Sequence, residues 1–109
     1  MSTSAKRLVA GSQLTAAAVV YYTAPTSTKA VIKSASIVNT TAGAVAATVY
    51  IVPAAGSPAA ANTLISARSI AVNETYTCPE LVNHVLGPGE TLQALGLNLT
   101  FAVSGAEIV

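Results

Sequence analysis

The reactive side chains of this 109-residue chain are few: one Cys, one His and four acidic residues, all of them Glu. Cys78 and His84 are the only nucleophile and base that could act together, and nothing in the sequence indicates that they meet in space. A single Cys cannot form an internal disulfide, so the domain has to be stabilised by packing. We therefore interpret Cys78 as a small, half-buried packing residue and assign no catalytic residue.

Ligands for metals and cofactors are equally sparse. A zinc site needs three or four Cys, His or carboxylate ligands, and no two of these residues lie at ligand spacing. No Asp-rich loop indicates calcium binding. The segment Gly87–Glu90 lacks the Gly-Lys-Ser/Thr ending of a phosphate-binding loop and predicts a turn. The prediction is that the protein has no metal and no cofactor.

The remaining candidates for binding are four tyrosines: Tyr21, Tyr22, Tyr50 and Tyr76. They could form an aromatic patch for carbohydrate or for a partner protein. The interpretation that we favour is that their rings pack in the core while their hydroxyls reach its rim. Asn-X-Thr patterns begin at Asn39, Asn73 and Asn98. In a Thr-rich chain we interpret these patterns as composition rather than as glycosylation sites.

Composition excludes several classes of protein. Charged residues make up 8% of the chain and hydrophobic residues 52%, against about 25% charged in an ordinary soluble domain. This composition excludes a disordered chain, and a net charge of +1 provides no basic field for nucleic acid. No run of about 20 apolar residues predicts a membrane span. The apolar run Leu8–Ala10 is too short for a signal peptide, so we expect synthesis in a cytoplasm.

The elements that would position these residues are almost all strands. Strand patterns cover 6–10, 19–24, 28–40, 44–52, 63–72, 91–95 and 97–104. Seven or eight short strands with at most one short helix predict a single all-β domain over residues 1–109. The fold class is an antiparallel β-sandwich, either jelly-roll-like or immunoglobulin-like.

Local patterns predict how these strands are arranged. Residues 28–40 and 44–52 are expected to form a hairpin around a turn at Thr40–Gly43, with a bulge near Ser34 and Ala35 that switches the buried face. Residues 91–95 are expected to pair with the last strand, whose buried face starts at Leu97 and which ends at Gly105. The segment Pro53–Asn62 predicts a long loop, and Pro79–Leu86 predicts one or two helical turns.

The shortage of charge also bears on assembly. A free monomer of this size carries about 25–35% charged residues on its surface, and this chain has nine in total. Much of its surface should therefore be covered by other subunits. We expect a homo-oligomer or a tile in a larger lattice.

Several segments of the chain resemble small structural proteins of tailed-bacteriophage virions. They are Tyr21–Pro25, Thr28–Ser34, Ile37–Thr41, Ala47–Pro53, Asn62–Ser66, Asn73–Tyr76, Pro79–Val82, Gly87–Glu90 and Val103–Ile108. The resemblance implies a non-enzymatic virion component, first a capsid decoration or cement protein that contacts the major capsid protein or other virion proteins. The alternative is a neck, tail or fibre module for attachment or host-surface binding. Residues 1–13 lie outside the resemblance and are interpreted as an extended arm that reaches a neighbouring subunit.

Overall fold

The computed structural model describes residues 3–108 and forms two antiparallel β-sheets around one core. The predicted β-sandwich is therefore confirmed. Its strands are β1 (Thr3–Gln13), β2 (Val19–Thr23), β3 (Lys29–Val38), β4 (Val45–Val52), β5 (Thr63–Ile70), β6 (Thr75–Tyr76), β7 (Val85–Leu86), β8 (Thr91–Leu95) and β9 (Thr100–Ile108). A short 3₁₀ helix, Ala60–Asn62, closes the exposed loop before β5.

Sheet A has the order β1-β9-β3-β6, and β7 also pairs with β3; sheet B has the order β2-β8-β4-β5. The pairing is nested from the ends of the chain inward: β1 with β9, β2 with β8, β3 with β6 and β7, and β4 with β5. This is one long hairpin folded over on itself, the jelly-roll arrangement. An immunoglobulin sandwich pairs its first two strands, which lie in different sheets here.

Two predicted hairpins are wrong. Strands β3 and β4 do not pair, and neither do β8 and β9, because each connection crosses from one sheet to the other. Alternation of apolar residues identifies a strand and its buried face, but it contains no information about which strand lies beside it. The only hairpin between strands that are consecutive in the chain is formed, within the described residues, by β4 and β5.

The predicted bulge in β3 is confirmed. The register with β9 shifts between Ile32 and Ser34. Before the shift Ala30 and Ile32 are buried, and after it Ala35 and Ile37 are buried. One extra residue therefore moves the inward positions from even to odd numbers, so the same strand remains buried on one face along its length.

The helical turns predicted for Pro79–Leu86 are absent. This segment is a chain of tight turns with hydrogen bonds from Leu81 N to Cys78 O (3.0 Å) and from His84 N to Leu81 O (3.2 Å). Asn83 has a φ of 69°, which interrupts a right-handed helix, and β7 follows. Only some of the apolar residues face inward: Leu81 and Leu86 are buried, whereas Val85 is exposed.

The C-terminal strand starts later and runs further than predicted. Leu97 lies in a turn and is 54% exposed, and β9 begins at Thr100. Gly105 does not end the strand but is buried inside it, where β9 passes between β1 and β3. A Cβ atom at Gly105 would lie 2.0 Å from the carbonyl oxygen of Val31. Glycine is required there because the neighbouring backbone occupies the position of a side chain.

The segment proposed as an N-terminal arm is largely strand β1, which pairs with β9 of its own chain. It forms one edge of sheet A and is exposed over Thr3–Arg7. Met1 and Ser2 lie outside the described residues. Contact between this segment and a neighbouring subunit remains a prediction. Within residues 3–108, no helix has the length and apolar character of a membrane span.

Candidate functional site

The carboxylates of all four glutamates accept hydrogen bonds from the protein itself. The Glu74 carboxylate accepts from the backbone N–H of Ala71 at 2.6 Å, and the Glu90 carboxylate accepts from the backbone N–H of Gly87 at 2.5 Å. In each case the carboxylate closes a turn by accepting from the residue three positions earlier in the chain. The two other glutamates bind tyrosine hydroxyls at the two edges of the sandwich.

The first edge cluster consists of Lys6, Tyr22 and Glu107. The Tyr22 hydroxyl, on β2 of sheet B, donates to Glu107 Oε2 on β9 of sheet A at 2.5 Å. Lys6 Nζ lies 3.3 Å from the same oxygen. The Tyr22 hydrogen bond, and to a lesser extent Lys6, hold the pKa of Glu107 below its usual value. Burial and the adjacent Glu107 raise the pKa of Tyr22. The cluster therefore connects the first and last strands, β1 and β9 of sheet A, to β2 of sheet B.

The second edge cluster consists of Arg68, Tyr76 and Glu80. The Tyr76 hydroxyl donates to the Glu80 carboxylate, with distances of 2.5 and 2.6 Å to its two oxygens. The Arg68 guanidinium, from β5 of sheet B, lies 4.3 Å from the centre of the Tyr76 ring. Burial, followed by the bond to Glu80, raises the pKa of Tyr76 to about 12. Here the link between the sheets is a cation–π contact.

The four tyrosines do not assemble into one patch. Tyr22 and Tyr76 are buried at opposite edges, with hydroxyls bound at the rim, as the favoured interpretation predicted. The Tyr21 ring packs edge-on against Phe101, with 6.2 Å between ring centres. Tyr50 is half-buried on β4, opposite Gln93 of β8. Tyr22 and Tyr76 are therefore part of the core, and Tyr21 packs against it.

Cys78 is buried and His84 is exposed. Burial, with a smaller contribution from the charge of Glu80, raises the pKa of Cys78 to about 12. The thiol donates a weak hydrogen bond to the carbonyl oxygen of Tyr76 at 3.6 Å. A nucleophilic cysteine needs a lowered pKa and access to substrate, and Cys78 has neither. Within residues 3–108, no three His, Cys or Glu side chains are grouped to hold a metal ion.

Asn39 is a structural residue that sequence reasoning missed. Its side-chain amide donates to the carbonyl oxygens of Gly43 (2.9 Å) and Ile70 (2.8 Å), and its side-chain oxygen accepts from Thr41. These bonds fix the crossing from β3 to β4 against the end of β5. Asn39 is fully buried, so the Asn-X-Thr pattern that begins there is not available for glycosylation.

The two sheets differ in charge. Strands β2, β4 and β8 contain no charged residue, and Arg68, the one charge of sheet B, stacks on Tyr76 at the edge. The other four cations lie on β1 and β3 of sheet A: Lys6, Arg7, Lys29 and Lys33. The exposed face of sheet B is therefore almost uncharged over three of its four strands.

A shallow depression of about 440 Å³ lies on the outer face of sheet A, beside the β3 bulge. Its lining consists of small or uncharged side chains, among them Ser34, Ser36, Ala102, Ser104 and Val82. No titratable group lines it. The depression can accommodate a neighbouring side chain or loop, but its lining supplies no acid, base or nucleophile.

Comparison with known proteins identifies a similar fold. No protein-family model matches the sequence, and no curated protein matches it. A chain in the structure of infectious bursal disease virus, Gx strain, aligns with a TM-score of 0.53 at 12% identity, over 97% of this chain and 30% of that chain. A chain from the Gt strain aligns with a TM-score of 0.37 at 15% identity, over 96% of this chain and 32% of that chain. This protein thus spans less than a third of the length of the virus chains, and the first similarity shows a shared sandwich fold.

Proposed function

We propose that this protein is a non-enzymatic structural component of a virus particle, and specifically a decoration or cement protein on the capsid of a tailed bacteriophage. The observation that carries the proposal is an uncharged face on a jelly-roll sandwich. Strands β2, β4 and β8 present no charge. A surface of this kind is suited to burial against neighbouring subunits.

The jelly-roll fold is compatible with several functions. Jelly rolls occur in viral capsid proteins, in lectins and in small-molecule-binding domains. Enzymatic or metal-binding use of the fold needs a cluster of titratable residues. In the described part of this chain the carboxylates close turns or bind tyrosines, and the thiol is buried. The similarity to a chain of a virus structure supports a structural role.

In this role the protein would act as a clamp. A sandwich domain that sits across the joint between two capsid subunits adds buried area at a place where internal pressure strains the shell. The barrier to rupture then rises, so the shell opens more slowly. The uncharged face formed by β2, β4 and β8 is the surface that we propose for contact with the major capsid protein. The exposed loop Pro53–Ala59 and the outer edge of β1 are the segments that we propose for additional contacts.

The test compares particles that lack this protein with the same particles after purified protein is added back. We expect the protein to bind, and the temperature at which the particles release their genome to rise by several degrees. The matched control is protein with Val49→Asp, which places a charge at a fully buried position and should unfold the sandwich. Binding without any change in the release temperature would contradict a cement role.

The second candidate is a neck, tail or fibre module that binds the host surface. Tyr50 is half-buried on the uncharged face of sheet B, and it is the aromatic side chain that favours host-surface binding. Under this proposal Tyr50→Ala would reduce adsorption of the virus to its host, and the temperature of genome release would not change. Under the cement proposal adsorption would not change.

A further inference from the structure

The sandwich has four sheet edges, and three of them carry features that prevent another strand from pairing. Strand β1 has Lys6 and Arg7 in its centre and two register shifts against β9. On the opposite side of sheet A, β6 and β7 have two residues each, separated by a loop. Strand β5 contains Arg68 and, at Ala67, a left-handed residue with a φ of 47°. Charges, short strands and irregular backbone are the usual means of blocking an edge.

Strand β2 lacks most of these protections. It contains neither charge nor proline, and Val19 and Val20 are 40% and 47% exposed. Among residues 3–108 its only strand partner is β8, so the backbone N–H and C=O groups on its other side are not in a ladder. Its one irregularity, between Val20 and Tyr22, leaves Val19 and Val20 in regular register with β8.

We propose that the open edge of β2 is a self-association surface that pairs antiparallel with β2 of a second copy of this chain. The pairing would join the two B sheets into one continuous sheet of eight strands, since each has four. Antiparallel pairing of identical edges is related by a twofold axis, so the product is a closed dimer and not a filament.

The choice of a second copy as the partner follows from charge. When identical edges pair antiparallel, residues near the axis face their own counterparts. At β1 this would bring Lys6 and Arg7 close to the same residues of the other copy, and like charges directly opposite destabilise a sheet. At β2 the corresponding residues are Val19 and Val20, which are favourable cross-strand neighbours.

The contact is small. A five-residue strand pair buries less than the roughly 1,600 Å² of a standard interface, so we expect weak association. The inference does not depend on a role in a virion, because it follows from the edges of the isolated chain. In an assembly, other contacts would add to it.

The test is sedimentation equilibrium of the purified protein up to several hundred micromolar. We expect the apparent mass to rise with concentration from 10.8 kDa towards twice that value. Val20→Lys places a charge on the edge and should hold the protein at the monomer mass. Val85→Lys, at a residue of β7 whose exposure is similar to that of Val20, is the matched control and should not change the association. Thermal melting of each variant confirms that it is folded.

Hydrogen exchange of the unmodified protein gives a second measurement that does not depend on variants. Amides of Val19–Thr23 should exchange more slowly at high protein concentration, whereas amides at the edge of β5 should not change. A wild-type monomer at all concentrations would overturn the proposal. So would a Val20→Lys variant that still dimerises, loss of the dimer in Val85→Lys, or protection confined to a different edge.

Discussion

At each edge of the sandwich a tyrosine hydroxyl binds a glutamate, but the two pairs are separated by very different distances along the chain. At one edge Tyr22 binds a glutamate 85 residues away, and Lys6 reaches the same carboxylate across 101 residues. At the other edge Tyr76 binds a glutamate four residues away. In both clusters a tyrosine hydroxyl donates to a carboxylate, but only the first of these hydrogen bonds joins two sheets.

This difference indicates how the nested fold is stabilised. A jelly roll brings the first and last strands together, so its final contacts close very long loops. The cluster of Lys6, Tyr22 and Glu107 stabilises that closure. The Tyr76 hydrogen bond orders a local loop, and only the Arg68 contact to the ring acts between sheets. Substitutions at the first edge should therefore reduce the stability of the whole domain more than substitutions at the second edge.

The largest effect is expected from Gly105→Ala, which lies two residues before Glu107 on β9. The new Cβ would meet the Val31 carbonyl oxygen at 2.0 Å, so β9 has to move away from β3 and take the first edge cluster with it. We expect a loss of at least about 3 kcal/mol in the free energy of unfolding, measured by urea denaturation. Gly43→Ala is the control: apart from Gly43 and its two neighbours in the chain, no residue has an atom within 4 Å of the added Cβ, so the change should be small. Equal effects of the two variants would contradict this packing.

The comparison is tested most directly by removing each tyrosine hydroxyl. Tyr22→Phe should cost about 2 kcal/mol, because Glu107 loses its shorter hydrogen bond while its side chain is only 15% exposed. Tyr76→Phe should cost about 1 kcal/mol, since the Glu80 carboxylate is exposed and can bind water instead. Denaturant melts of both variants measure the difference. A larger loss for Tyr76→Phe would reverse the ranking of the two edges.

Acid should affect the first edge. The pKa of Glu107 is lowered in the folded protein, so as the pH falls below about 4.3 the unfolded chain binds a proton before the folded one. The stabilisation by this carboxylate is therefore complete above that pH and is lost below it. We expect the melting temperature of the wild type to fall more steeply than that of Glu107→Gln between about pH 5 and pH 3. Parallel curves would show that Glu107 does not contribute.

The smallest effect is expected at the second edge, from Ala67→Gly. Ala67 has a φ of 47°, which costs a residue with a Cβ about 1–2 kcal/mol. Glycine removes this strain but loses about 0.5–1 kcal/mol through the entropy of the unfolded chain. A net stabilisation of about 0.5 kcal/mol is expected in a denaturant melt. A clear destabilisation would contradict the left-handed conformation.

Sequence reasoning predicted what depends on local patterns. The sandwich class, the β3 bulge and the packing of Tyr22 and Tyr76 follow from alternation and residue type, and the structure agrees with each. The other two tyrosines, Tyr21 and Tyr50, are only half-buried. It failed where the partner of a strand had to be chosen, as at β3 and β8. Gly105 was interpreted as a strand end because a buried backbone approach leaves no pattern in one sequence. The bond from Asn39 to Ile70 joins residues 31 positions apart, and one sequence does not indicate such a partner.

The measurement that tests the proposed function most directly is the number of copies of this chain in purified particles, determined by quantitative mass spectrometry against the major capsid protein. A capsid decoration or cement protein should be present at a copy number comparable to that of the capsid subunit. A copy number far below it would contradict decoration and favour the neck, tail or fibre. Complete absence of the chain from the particle would contradict a virion role altogether.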